Sequence, residues 1–183
     1  IIMAATLADG ETIIKNAARE PEISDLSNFL VDSGAEIDGY GTNVIKIKGK
    51  KRLRGCEFSV MPDRIEAGTY ALCVMGCSGN IILENVNDLI CNHLKKIFKP
   101  LNVLFLSKKD NGNKLAIKRT NKFQKNVIIS TKEFPGFPTD LQAQLIASLV
   151  KSEGKSVIKE NIFENRFMHV SELRRMGANL KQK

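Results

Sequence analysis

The sequence predicts an α/β protein in which one supersecondary unit is used about three times. Three observations carry this reading. Glycines at 10, 79 and 154 each precede a short apolar run, and Gly79 to Asn85 lies over Gly10 to Asn16 position by position. Helix-spaced apolar stretches alternate with runs of period two. Each unit is too small to bury its own apolar faces and must stack on its neighbours. The period is longer than that of ankyrin or tetratricopeptide arrays, and the strands exclude an all-helical solenoid.

In chain order, Ala4 to Asn16 predicts the end of a helix, a turn at Asp9-Gly10 and a strand through Thr12-Ile13-Ile14. Ser24 is the expected cap of a helix with Leu26, Phe29 and Leu30 on one side, ended by Gly34 in the left-handed position. Val44 to Lys48 alternates as a strand, turns through Gly49-Lys50-Lys51, and is expected to pair with a returning strand from Leu53 to Val60. A helix with Pro62 near its first turn follows, closed between Gly76 and Gly79. In the second unit, Leu89 to Phe98 is helical and Lys99-Pro100-Leu101-Asn102 replaces the terminating glycine. The polar, asparagine-rich stretch from Lys108 to Lys125 reads as a solvated hairpin. In the third, a helix runs to Lys151, Glu153-Gly154 turns, Ser156-Val157-Ile158 forms a strand, and Phe167, Val170 and Leu173 line a last helix ending at Gly177.

The third unit opens on Phe134-Pro135-Gly136-Phe137-Pro138-Thr139-Asp140-Leu141-Gln142, where two prolines and a glycine shape an apolar loop ahead of a helix start. Thr139 is the expected N-cap and Gln142 completes a capping box, which puts Asp140 on the first helical residue. Leu141, Leu145 and Leu149 form the stripe that holds this turn. On the pattern alone, Asp140 reads first as a complement to the helix dipole.

Composition narrows the partners. With 43% apolar and 26% charged residues the chain is globular, and 28 Lys and Arg against 20 Asp and Glu give +8, which favours nucleic acid, acidic lipid or a small phosphorylated metabolite. Lys108, Lys109, Lys114, Lys118, Lys122, Lys125 and Lys132 lie among strands and turns with no aromatic platform beside them, so a solvated face is favoured over a nucleic-acid groove. Cys56, Cys73, Cys77 and Cys91 lack zinc-site spacing, and only two histidines could assist. Reduced structural thiols are expected, Cys73 and Cys77 being read as core residues on one helix face. No metal or cofactor is indicated, no membrane span or leader is evident, and a cytoplasmic protein is expected. The chain opens mid-pattern at Ile1-Ile2-Met3, as an internal segment of a longer protein does.

Four motifs taken together carry a resemblance: Asn16-Ala17-Ala18-Arg19-Glu20-Pro21-Glu22-Ile23, Pro62-Asp63-Arg64-Ile65-Glu66-Ala67-Gly68-Thr69, Pro135 to Gln144, and Ile162-Phe163-Glu164-Asn165-Arg166-Phe167-Met168-His169. In order and spacing they resemble the UDP-N-acetylglucosamine 1-carboxyvinyltransferases, enolpyruvyl transferases related to 5-enolpyruvylshikimate-3-phosphate synthase. The resemblance covers nearly the whole chain and weakens between about Asn87 and Lys132. It implies part of an inside-out α/β barrel fold built from repeated strand-helix-strand-helix-strand-strand units. Residues 1–61 would be the last unit of a first domain and 62–183 the first one to two units of a second, with Arg64 and Glu66 bracing the crossing.

The resemblance further implies transfer of the enolpyruvyl group of phosphoenolpyruvate to the 3-hydroxyl of UDP-N-acetylglucosamine, releasing phosphate, in peptidoglycan synthesis. Asp140 takes the catalytic base role by this resemblance, and Thr139, Asp140, Ile162, Phe163, Glu164 and Arg166 are the expected substrate contacts. Because a helix N-terminus favours an ionised carboxylate, Asp140 is expected mainly to accept a hydrogen bond from the sugar hydroxyl and take its proton late. Without the resemblance, Ile162 reads as a strand-end core residue and Glu164 with Arg166 as an ion pair or cap, and His169, which follows the motif, reads as packed or capping. The family's cysteine-bearing loop has no counterpart among Cys56, Cys73, Cys77 and Cys91, nor do its other phosphate-holding cations. The segment is therefore expected to be inactive without the remaining segments of the enzyme. The competing readings are a non-catalytic paralogue or nucleotide-sugar-binding module, and a basic nucleic-acid-binding protein, which the intact motifs disfavour.

Overall fold

The computed structural model describes residues 1–108, 114–119 and 125–182, which fall into two compact units, Ile1–Met61 and Pro62–Lys183. Lys109, Lys122 and the expected hairpin tip lie outside the described residues.

The first unit runs α1 (Ile2–Ala5), β1 (Glu11–Lys15), α2 (Pro21–Asp32), β2 (Glu36–Asp38) and β3 (Val44–Lys48). Its antiparallel sheet has the order β1-β3-β2, with Thr12 and Ile37 both opposite Ile47. Ile45 and Ile47 point from the central strand into a core with Ile2, Ala5, Leu30, Ala35 and Ile37. The order strand, helix, strand, strand holds, but its members differ from those expected. No strand forms over Leu53 to Val60, because β3 is already bonded on both edges by β1 and β2. Nor does Ser24 cap α2. The helix starts a turn earlier at Pro21, whose fixed φ suits a first helical residue. Gly34 follows its end at φ +101°, as expected.

The second unit runs α3 (Arg64–Cys77), β4 (Asn80–Leu83), α4 (Asp88–Phe98), β5 (Val103–Lys108), β6 (Lys114–Arg119), β7 (Ile128–Ser130), a 3-10 turn (Thr139–Leu141), α5 (Gln142–Leu149), β8 (Val157–Lys159) and α6 (Met168–Arg175). Asp63 caps α3, its Oδ1 accepting from the Ile65 and Glu66 amides at 2.7 and 3.1 Å. Asn87 caps α4 in the same way. Asn102, at φ +51°, takes the left-handed position that Gly34 takes after α2, in keeping with the expected replacement of the terminating glycine. The hairpin is less solvated than its composition suggests. β6 is the central strand of an antiparallel sheet of order β4-β6-β5, and Leu115 and Ile117 are fully buried. Lys118, Lys125 and Lys132 are exposed.

Two cysteine expectations are corrected. Cys73 and Cys77 are exposed on α3 and Cys91 is buried, and none of the four cysteines is in a disulfide. Both α3 thiols open on a groove of about 480 Å³ between α3, α5 and the segment after α6. Small residues explain why the two helices approach closely there: a Cβ on Gly76 would lie 3.1 Å from the Ser148 Cα.

Candidate functional site

β7 and β8 are parallel, with Ile128, Ile129 and Ser130 opposite Val157, Ile158 and Lys159. The chain between them makes the Phe134 to Pro138 loop, the 3-10 turn and α5. The carboxyl ends of both strands therefore meet the start of a helix, the place where open α/β sheets present ligand-binding loops. β7 was not expected from the sequence, and without it this meeting point is invisible.

Two aromatic rings hold the loop. Phe137 is buried 6.5 Å from the Phe98 ring of α4, and Phe134 packs 4.8 Å from the His93 ring, with the Arg64 guanidinium 5.8 Å from its centroid. Gly136 permits the turn, since a Cβ there would lie 2.5 Å from the Lys132 Cβ and 2.9 Å from the Glu133 carbonyl oxygen. On the far side, Leu141 is fully buried against α3, where a Cβ on Gly68 would meet its Cδ1 at 2.5 Å. Asp140 is thus carried between two buried anchors, while its own carboxylate remains about half exposed, 52%.

The expected capping box does not form. Thr139 lies in the 3-10 turn, α5 begins at Gln142 without a side-chain cap, and the Gln142 amide is fully buried with no hydrogen-bond partner among the described residues. The physical reason lies in the other partners of Thr139. Its hydroxyl donates to Glu160 Oε2 at 2.9 Å and accepts from Arg166 Nη1 at 3.0 Å. Arg166 Nη2 in turn donates to Asp140 Oδ1 at 2.7 Å, and the guanidinium covers the Phe163 ring at 5.2 Å. Arg166 pairs with Asp140 and not with Glu164, which is exposed.

Glu160, one residue past β8, was missed by the sequence reading. Its Oε1 accepts from the Thr131 hydroxyl at 2.9 Å and from the amides of Ile162 and Phe163 at 2.8 and 3.2 Å. Burial pushes its carboxyl up, but the Ile162 amide, the Thr131 and Thr139 hydroxyls and the Phe163 amide together draw it below the usual carboxylate value. Asn161 completes the join. Its amide donates to Thr131 Oγ1 at 2.9 Å and its side chain to the Thr131 carbonyl at 3.1 Å.

Of the residues singled out from the sequence, Thr139, Asp140, Phe163 and Arg166 share this cluster and Ile162 joins it through its amide. Glu164 does not. His169 sits beside Phe167 at the start of α6, with burial lowering its imidazole's proton affinity, in keeping with a packed role. Among the described residues no three His, Cys, Asp or Glu side chains are placed to hold a metal ion, and no helix is long and apolar enough to cross a membrane.

A family profile described as EPSP synthase (3-phosphoshikimate 1-carboxyvinyltransferase) matches residues 1–183, the entire chain. The chain belongs to the EPSP synthase family. Similar proteins include the UDP-N-acetylglucosamine 1-carboxyvinyltransferase of Nitratidesulfovibrio vulgaris (strain DP4), 47% identical over 181 residues, or 99% of this chain and 43% of that protein. The UDP-N-acetylglucosamine 1-carboxyvinyltransferase 1 of Caldanaerobacter subterraneus subsp. tengcongensis is 49% identical over 181 residues, with the same coverage of 99% and 43%. The chain thus spans less than half the length of these curated relatives. Among solved structures, the enolpyruvyl transferase NikO from Streptomyces tendae superposes with a TM-score of 0.75 at 20% identity, over 93% of this chain and 40% of that one. EPSP synthase from Acinetobacter baumannii gives 0.65 at 20% identity, over 97% and 41%. The fold is the α/β enolpyruvyl-transferase fold of this family, present in part.

Proposed function

We propose that this chain is part of a transferase that moves the enolpyruvyl group of phosphoenolpyruvate to the 3-hydroxyl of UDP-N-acetylglucosamine and releases phosphate, in the cytoplasm, for peptidoglycan synthesis. Residues 1–61 act as the last repeat unit of a first domain and 62–183 as the first one to two units of a second. The remaining segments of the protein complete the enzyme.

The observation that carries this reading is the presentation of Asp140. Buried residues on either side lock its backbone, its carboxylate stays open to a ligand, and Arg166 and the exposed Phe163 stand beside it. Identity near one half to proteins named for this reaction supports the choice of substrates. In the proposed reaction Asp140 accepts a hydrogen bond from the sugar hydroxyl and takes its proton as the new carbon–oxygen bond forms. Arg166 holds the carboxylate in one orientation until the hydroxyl arrives, and Thr139 holds Arg166. Ile162 and Phe163 offer an apolar face to the nucleotide-sugar, and Glu164 lies at the rim of the same motif.

The test is release of phosphate from phosphoenolpyruvate by the complete protein, with and without UDP-N-acetylglucosamine. Release that depends on the nucleotide-sugar supports the proposal. Tight nucleotide-sugar binding without turnover supports a binding module instead.

A further inference from the structure

We infer that Glu160 is a positioning residue for the Asp140 carboxylate, acting through Thr139 and Arg166; this rests on the enolpyruvyl-transfer reading above. Glu160 holds the two halves of the cluster together. Its Oε1 collects the Thr131 hydroxyl and the Ile162 and Phe163 amides, and its Oε2 receives the Thr139 hydroxyl.

The direction of the hydrogen bonds makes the assignment specific. A guanidinium can only donate, and an ionised carboxylate can only accept. Thr139, lying between Arg166 and Glu160, therefore has its proton fixed toward Glu160 and a lone pair fixed toward Arg166 Nη1. With Nη1 so held, Nη2 of the same rigid fork is delivered to Asp140 Oδ1. The order along the chain of contacts is carboxylate, hydroxyl, guanidinium, carboxylate. An uncharged amide in place of Glu160 breaks that order. If its oxygen keeps the three Oε1 bonds, its NH₂ faces Thr139, which then meets two donors and loses the acceptor for its own proton.

Glu160→Gln and Thr139→Val in the complete protein separate positioning from mere support. Each is expected to lower kcat by about tenfold or more while changing the KM for UDP-N-acetylglucosamine by less than about threefold, the scale of one lost charge-assisted hydrogen bond. The double variant is expected to be no slower than the slower single one, because both changes cut the same chain. Thr139→Ser, which keeps the hydroxyl, restores most of the turnover. Normal kcat in Glu160→Gln, or effects that multiply in the double variant, overturns the inference while leaving the reaction in place. Absence of turnover in the unsubstituted protein overturns the functional reading and this inference together.

Discussion

Arg166 Nη2 donates to Asp140 Oδ1 at 2.7 Å across 26 residues of sequence, joining the Phe-Pro-Thr-Asp turn to the loop after β8. The pair is partly exposed, with side chains 38% and 52% accessible, so its worth to folding is small, at most about 1 kcal/mol. Its value is orientation. Arg166→Lys keeps the charge but cannot reach Thr139 and Asp140 with one planar fork. Turnover of the complete protein is expected to fall about tenfold or more with the urea midpoint nearly unmoved; equal losses of both would show the pair to be structural.

The carboxyl of Glu160 is held below 4.5, since the groups donating to it outweigh the opposing effect of burial. Its ionised form is favoured by folding, so its contribution is complete above about pH 4.5 and fades as the pH falls through the lower folded value. Urea unfolding at pH 6 and at pH 3.5 should show the stability gap between the unsubstituted protein and Glu160→Gln closing in acid. A constant gap contradicts this.

His93 is lowered from 6.5, by burial first and then by the Arg64 guanidinium, against a smaller opposite pull from the Gly136 and Pro135 carbonyls. Folding therefore favours the neutral ring. Stability from this group is present above about pH 6.5 and declines as the pH falls toward the folded value. His93→Leu should flatten this part of the profile between pH 7.5 and 5 in thermal melts. Parallel curves for the two proteins would remove His93 as its source.

Gly136 has backbone atoms where a methyl would stand, with the Glu133 carbonyl oxygen 2.9 Å away. Gly136→Ala is expected to cost roughly 1–3 kcal/mol in denaturant unfolding, the range of overpacked sites. A neutral effect would mean that the loop yields and does not hold Asp140 firmly.

Periodicity exposed the elements whose burial depends on neighbours in sequence. Val44 to Lys48 shows its buried face by alternation, and Leu141, Leu145 and Leu149 show theirs at helical spacing. What stayed hidden depends on partners far along the chain. Whether Leu53 to Val60 pairs was decided by β1 and β2 occupying both edges of β3. Leu115 and Ile117, set among lysines, looked solvated until β4 and β5 flanked them. Glu160, between Lys159 and Asn161, carries no local signal, because Thr131 and Thr139 stand 29 and 21 residues away. Thr139 has the pattern of a cap, yet two charged partners outcompete the helix amides for its hydroxyl. The motifs revealed Asp140, Phe163 and Arg166, but only the parallel pairing of β7 with β8 shows why they meet.

The most direct test of the account compares Asp140→Asn with the unsubstituted complete protein, measuring phosphate release and UDP-N-acetylglucosamine binding side by side. The substitution keeps the shape of the side chain and its place between the Phe137 and Leu141 anchors while removing the carboxylate proposed to take the proton. Turnover is expected to fall by about 100-fold or more, in the range of a lost general base, with binding changed by only a few fold. Near-normal turnover with intact binding would remove Asp140 from the chemistry and contradict the account.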